Sequence, residues 1–165
     1  MLKIYPIETN KDIDIKKNRE LFEEYADFLN ELIGKHSQSW ADHHDQKILK
    51  EAKELPGEYA APKGCILFAK YKDEIAGCIA ISEIETDLCE LKRLYIRPDF
   101  RRKGIGTKLC KTLIEQAKSS AYTCLQLHTA IEPPKNLYKS LGFTEIAPTE
   151  NIPLETVVFM ELKLT

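Results

Sequence analysis

The chain has 165 residues, of which 43% are hydrophobic and 30% charged, and a formal net charge of −2. That is enough chain for one substantial core, too apolar for a disordered segment, and too acidic overall for a broad nucleic-acid-binding face. Any anion site has to come from a local cluster of cations.

No apolar run reaches the length of a membrane span. The opening Met1-Leu2-Lys3-Ile4-Tyr5-Pro6 lacks the apolar core and small-residue cleavage site of a signal peptide. Cys65, Cys78, Cys89, Cys110 and Cys124 are odd in number, widely spaced and form no C-x-x-C. Buried free thiols are expected rather than disulfides or metal ligands, which makes the cytoplasm the expected compartment. No repeat, low-complexity tract or linker divides the sequence, so residues 1–165 are expected to form a single domain.

In chain order, Leu2 to Ile7 is short and β-like. From about Asp12 the period becomes helical, with Leu21, Phe22, Tyr25, Phe28, Leu29, Leu32 and Ile33 on one stripe and Gly34 ending it. A second helix is expected from about Ala41 to Leu55, carrying Ile48, Leu49, Ala52 and Leu55, and a loop follows from Pro56-Gly57 to Gly64. Cys65–Tyr71 and Ile75–Ile81 read as a hairpin around Lys72-Asp73-Glu74. A strand from Cys89 to Ile96 stops at Arg97-Pro98. A helix with Ile105, Leu109, Leu113 and Ala117 inside comes next. Cys124 to His128 is a strand, Pro134 to Leu141 a proline-started helix stopped by Gly142, and Phe143–Ile146 and Val157–Leu164 are closing strands. The order β-α-α-β-β-β-α-β-α-β-β implies an α/β fold: a mixed sheet with helices packed on it.

The informative segment runs from Ile96 to Thr107, where Arg101-Arg102-Lys103-Gly104-Ile105-Gly106-Thr107 opens a helix. First-turn amides lack partners and the helix dipole favours an anion. Gly104 and Gly106 keep side chains out of the way, and three cations stand beside them. The spelling fits neither a Walker loop nor a dinucleotide fingerprint, because Leu109 occupies the third glycine position. The plain alternative is a glycine-containing helix start beside a solvated basic patch.

Leu91-Lys92-Arg93-Leu94-Tyr95-Ile96-Arg97-Pro98, followed by Arg101-x-x-Gly104-x-Gly106, resembles motif A of the GNAT acetyltransferases. Leu137-Tyr138-Lys139-Ser140-Leu141-Gly142-Phe143 resembles their motif B, at the family's separation from motif A, and the element order matches over nearly the whole chain. The resemblance implies the acyl-CoA N-acyltransferase fold, acetyl-CoA as cosubstrate and no metal. It implies that Leu94 and Ile96 pair through their backbone with the pantetheine arm at a splayed sheet edge. The amides of Arg102, Lys103, Gly104, Ile105, Gly106 and Thr107 would hold the pyrophosphate, with Arg101 adding charge. Tyr138 would protonate the departing thiolate. An asparagine that family members often carry seven residues before this tyrosine is Ile131 here, and the nearer Asn136 is the substitute candidate. Pro133-Pro134 also departs from the usual alanine-containing helix start.

Glu90 lies six residues before Ile96, the offset of the catalytic glutamate in the histone-acetylating branch. It is either the base that deprotonates the amine or an ion-pair partner of Lys92 or Arg93. His36, His43, His44 and Asp45 could suggest metal but lie in or near an expected exposed helical connection, without a further ligand cluster. The acidic first helix, with Glu20, Glu23, Glu24, Asp27 and Glu31, reads as a solvated face that could also attract a cationic amine. His128 stands at a strand end with no assigned role. The implied reaction is direct acetyl transfer to a primary amine of a small molecule or peptide, with the Ile96 amide at the oxyanion. The alternative is an acyl-CoA-binding module without turnover. The acceptor, and the choice between monomer and homodimer, are open at this stage.

Overall fold

The structure, a computed structural model, describes residues 1–8, 10–34, 38–130, 134–152 and 156–164. Among these, strands β1 (Leu2–Pro6), β2 (Cys65–Tyr71), β3 (Glu74–Glu85), β4 (Leu88–Ile96), β5 (Cys124–Thr129), β6 (Thr144–Ile146) and β7 (Val158–Lys163) form one sheet, ordered β1-β2-β3-β4-β5-β7-β6. Helices α1 (Asp12–Gly34) and α2 (Gln38–Lys53) precede β2, α3 (Ile105–Ser119) connects β4 to β5, and α4 (Pro134–Ser140) follows β5. The element order is the one expected from the sequence. All neighbours are antiparallel except β4 and β5, the pair that the α3 crossover joins.

The β2–β3 turn is the two-residue loop Lys72-Asp73, with both φ angles positive at 48° and 67°. That is the turn chemistry whose twist matches a hairpin. β3 is buried from Ile75 to Ser82 because it lies in the middle of the sheet with helices on both faces. α1 and α2 cover one face, placing Leu21, Phe22 and Ile48 against Phe68 and Cys78. α3 covers the other, placing Leu109 and Leu113 against Leu67, Ile79 and Leu125. Each such side chain, once out of water, contributes roughly 1.5–3 kcal/mol before chain entropy is set against it.

Several boundaries differ from expectation. β3 runs on to Glu85 and turns through Thr86-Asp87 into β4. The polar stretch Ser82-Glu83-Ile84-Glu85 has no apolar run to mark it, yet its backbone pairs with β4, with a register shift at Ile84. α2 begins at Gln38 and ends at Lys53, two residues before the expected Leu55, and β6 begins one residue late at Thr144. The cysteines are free thiols, with Cys78, Cys89 and Cys110 buried and Cys65 and Cys124 partly so. Burial pushes the three buried thiols up to about 12. No helix among the described residues is long and apolar enough to cross a membrane.

The β3–β4 contact is tight at one point. A Cβ on Gly77 would collide with the Tyr95 carbonyl oxygen and press on Ile96. Both contacts are in the strand that carries motif A, so backbone would have to move. Gly77→Ala is expected to lower stability by about 1–3 kcal/mol, seen as a reduced melting temperature. An unchanged melting temperature would mean that the two strands can spread without penalty there.

Candidate active site

Two irregularities in β4 open the sheet. The first is its short contact with β5, which pairs only Leu88, Cys89 and Glu90 with Cys124, Leu125 and Gln126. Both strands then continue, β4 to Ile96 and β5 to Thr129, without pairing, so they part into a wedge. The second is a bulge. The register jumps from Ala80↔Lys92 to Cys78↔Tyr95, setting Arg93 and Leu94 against Ile79 alone, and Arg93 takes a left-handed φ of 60°.

The bulge changes which side chains face which helices. Before it, Cys89 and Leu91 join the α3 side, which leaves Glu90 and Lys92 toward α1 and α2. After it, Leu94 and Ile96 pack on the α3 side and Tyr95 on the α1 side. Lys92 and Arg93 both turn toward α2. Arg93 donates twice to Glu51, from Nε at 2.9 Å and Nη2 at 2.6 Å, and Lys92 Nζ lies 3.6 Å from Glu51 and 3.3 Å from Glu58. Tyr59 adds a hydroxyl donated to Glu51 at 2.6 Å. Burial alone would raise the Glu51 carboxyl, but its bonds with Arg93, the charges of Arg93 and Lys92, and Tyr59 together hold it down at about 2.

The open flank of β4 faces the wedge. Arg97 N–H donates to the Ala76 carbonyl of β3 at 2.8 Å, so the backbone groups of its neighbour Ile96 point away from β3. Arg101 Nε donates to the Ile96 carbonyl at 2.9 Å, and its guanidinium lies 4.8 Å over the Phe28 ring of α1. Arg97 in turn is bound by Glu24 of α1, at 2.8 Å from Nη2. Of the acidic residues of α1, Glu24 is thus an ion-pair partner, while Glu20, Glu23, Asp27 and Glu31 are exposed.

Beyond Phe100 the chain makes a pocket of amides. Arg102 and Gly104 have positive φ, at 62° and 75°, on either side of Lys103, an alternation that turns successive N–H groups toward a common centre. The first bond of α3 runs from Lys108 N–H to the Gly104 carbonyl, leaving the amides of Ile105, Gly106 and Thr107 directed out of the helix end. A Cβ on Gly104 would meet nothing within 4 Å, so what requires glycine there is φ. A Cβ on Gly106 would lie 3.6 Å from Leu137, an ordinary contact with α4.

A cleft of about 530 Å³ runs from these amides along β4. Leu94, Ile96, Arg101, Arg102, Gly104, Ile105, Gly106 and Thr107 all line it, together with Tyr25, Phe28, Pro134 and Leu137. Two expected members stand outside. Lys103 holds its ammonium 5.3 Å over the Tyr71 ring, and Asn136 is exposed on α4, where Pro134 and Leu137 take the lining positions. Ile131 and Pro133 lie outside the described residues, as does His36. The cleft therefore fits a long ligand with an apolar arm and a phosphate end: apolar walls, a strand flank that β5 leaves unpaired and on which only the Ile96 carbonyl is engaged, by Arg101, and convergent amides with two arginines.

At its inner end the cleft shares Tyr25, Leu94 and Pro134 with a second cavity of about 80 Å³. This one contains Tyr138, Glu90, His128 and His44. Tyr138 comes from α4 on the α3 side, packs 5.6 Å from Phe143, and is held well above the ordinary phenol range by burial. Glu90 is free of the partners expected for it, since Lys92 and Arg93 are taken by Glu51 and Glu58. Instead its Oε2 lies 3.6 Å from His128 Nδ1. His44, expected in an exposed connection, sits on the inner face of α2 in line with Ala41, Ile48 and Ala52. Burial, then Arg93 and His128, lower it to about 3.

Sequence reasoning overlooked Tyr25 and His44 as site residues and left His128 unassigned. Tyr25 reads as one more member of an apolar stripe. His44 carried a usable signal, a polar residue at stripe spacing with Ile48. The meeting of Glu90 with His128 depends on strands β4 and β5 being neighbours, which no local pattern states.

A sequence profile described as the acetyltransferase (GNAT) family matches residues 19–143. An uncharacterised N-acetyltransferase of Schizosaccharomyces pombe is 34% identical over 112 residues, covering 66% of this chain and 69% of the relative. Relatives of the same description from Bacillus subtilis and Escherichia coli are matched over 64% and 59% of their own length. Among solved structures, a GNAT-family acetyltransferase of Staphylococcus aureus superposes with a TM-score of 0.76 at 17% identity, covering 100% of both chains. The PaiA N-acetyltransferase of Thermoplasma acidophilum, solved with coenzyme A, gives 0.68 at 20% identity over 99% of each. At these identities the likeness is one of fold.

Proposed function

The chain belongs to the acetyltransferase (GNAT) family and is an acetyl-CoA-dependent N-acetyltransferase, and from that premise we propose that it moves the acetyl group directly onto a primary amine within a ternary complex. The observation that carries this is the continuity of the two cavities through the wedge between β4 and β5. The cosubstrate side runs from the start of α3 past α4, with Tyr25 and Phe28 of α1 on its other wall, while Glu90, His128 and His44 line the inner cavity beneath α2. Two substrates can therefore meet at the wedge without displacing each other.

In this reading the amides from Arg102 to Thr107, with Arg101 and Arg102, hold the pyrophosphate. The free flank of Leu94 and Ile96 holds the pantetheine arm, with Leu137 and Phe28 as apolar walls. The Ile96 amide is a fixed donor for the developing oxyanion, effective because the site is partly dry. Tyr138 stands over the departing sulfur, and the Glu90 side receives the amine. Proximity then supplies much of the acceleration, since the thioester is already activated.

The test is release of free CoA thiol from acetyl-CoA with a panel of primary amines: benzylamine, a diamine, a lysine-containing peptide and an aminoglycoside. Turnover dependent on amine supports the reading, and tight acetyl-CoA binding without turnover on any of them rejects it. Gly104→Val probes the amide pocket separately. A β-branched residue at a φ of 75° is strained by about 1–2 kcal/mol or more and moves the amides beside it. CoA affinity measured by calorimetry should fall at least about tenfold, the equivalent of one good charge-assisted hydrogen bond. A folded variant with unchanged affinity would place the pyrophosphate elsewhere.

A further inference from the structure

We propose that His128 is the base that takes the proton from the acceptor nitrogen, with Glu90 as the positioning partner behind its ring; this rests on the acetyl transfer proposed above. His128 and Glu90 are the two residues common to the inner cavity, which holds Tyr138, and an outer cavity bounded by Ile84, Leu88, Thr149 and Glu150. An amine arriving from the outer cavity and a proton leaving through it both pass this pair. Glu90 and His128 lie on adjacent parallel strands at the last point where those strands are still paired, with Glu90 opposite Gln126 and His128 two residues further along β5. Their side chains consequently share the face that α2 covers.

The ring orientation follows from the contacts. Nδ1 is turned to Glu90 Oε2 at 3.6 Å and the Phe159 ring lies 5.4 Å away, which leaves Nε2 as the nitrogen available to a substrate. The charged and titratable groups that act on it are Glu90 and Arg93 from β4, Glu150 from the segment after β6, and His44 and Lys47 from α2, while β7 sets Phe159 opposite it. Burial, with Arg93 and Lys47, lowers its proton affinity against the opposing pull of Glu90 and Glu150. The imidazole is therefore neutral near pH 7 and able to accept a proton, and an adjacent carboxylate stabilises the imidazolium once formed.

The step balances. The amine lone pair forms the N–C bond to the acetyl carbon and the C–S bond breaks. One nitrogen proton goes to His128 Nε2 and on to water in the outer cavity. The departing thiolate is hydrogen-bonded by the Tyr138 hydroxyl and takes its proton from solvent. The products are the amide and CoA thiol.

The experiment pairs pH profiles of kcat, taken with the best amine of the panel at saturating acetyl-CoA, with an NMR titration of the His128 ring in the same protein. Wild type should show an acid limb below about pH 6.5 that coincides with the His128 titration. His128→Gln should lose that limb and fall about 10²–10⁴-fold at pH 7, with the KM for acetyl-CoA unchanged. Glu90→Gln should keep the limb and move it, and the NMR titration, to lower pH, because the carboxylate that favours the imidazolium is gone. A limb that persists in His128→Gln, or that fails to coincide with the ring titration, overturns the inference while leaving acetyl transfer standing. A wild type inactive on every amine overturns the transfer reading and this inference with it. Should His128→Gln fail to fold, the coincidence in wild type and the shift in Glu90→Gln decide the matter alone.

Discussion

Glu51→Gln should destabilise the protein by about 3–5 kcal/mol at pH 7, the usual consequence of removing one member of a buried ion pair. The carboxylate accepts both bonds of the Arg93 guanidinium and the Tyr59 hydroxyl and lies beside Lys92. Arg93 is buried and cannot shed its charge, so the variant leaves a cation facing a neutral amide. The pH dependence has a definite sign. The folded carboxyl is held at about 2 against an unfolded value of 4.5, so its contribution is complete above pH 4.5 and is lost as the pH falls through 2. That contribution is on the order of 3 kcal/mol. Urea titrations at pH 7 and pH 3 should therefore show wild type losing stability on acidification more steeply than Glu51→Gln, with the two converging. Parallel losses would mean that Glu51 is not the acid-sensitive tie.

The second large effect is expected at the sulfur. Tyr138→Phe keeps the ring against Phe143 and deletes only the hydroxyl, so folding and CoA affinity should change little. The CoA thiol resembles a free cysteine, with a pKa near about 8.5. Burial holds the Tyr138 phenol well above its ordinary value, so full proton transfer to the thiolate runs uphill. Tyr138 then assists chiefly by hydrogen-bonding the charge as it develops on sulfur. A general acid contributes about 10²–10⁴-fold, and a good leaving group assisted in this way belongs at the lower end. Single-turnover rates at saturating acetyl-CoA should drop about 10²-fold by that estimate. The same burial predicts that wild-type kcat does not fall on the alkaline side up to about pH 10, the ordinary tyrosine value. A Phe variant with wild-type single-turnover chemistry would return Tyr138 to a packing role.

Much of this molecule is readable from local pattern. The apolar stripe of α3, the Lys72-Asp73 hairpin and the glycine-marked helix start each declare themselves within about ten residues, and motif A and motif B lie on the walls of the wedge that the resemblance implied. What stayed hidden has one cause in common: it depends on partners distant in sequence. Glu51 looks like an exposed helix residue until Arg93 arrives from 42 residues away. Glu90 looks like a neighbour of Lys92 and Arg93 until the bulge turns them both to α2 and strand β5 brings His128 beside it. The Ser82–Glu85 end of β3 is polar enough to read as a loop, and what holds it as a strand is backbone pairing with β4 and an ion pair from Lys63, distant in sequence, to Glu83.

The bulge at Arg93 also determines where the gene can tolerate a change of length. Inserting a single regularly pleated residue between Arg93 and Leu94 would invert every position downstream. Leu94 and Ile96 would then face α1, and the guanidinium of Arg97 would be carried away from Glu24 to the α3 side. The Thr86-Asp87 turn, by contrast, lies at the sheet's rim with both flanking residues exposed or half-buried, so an inserted residue there loops into solvent. Along a single hairpin, one end is an adjustable hem and the other a fixed gauge, with its one extra residue keeping both faces of the strand in step with the helices that cover them.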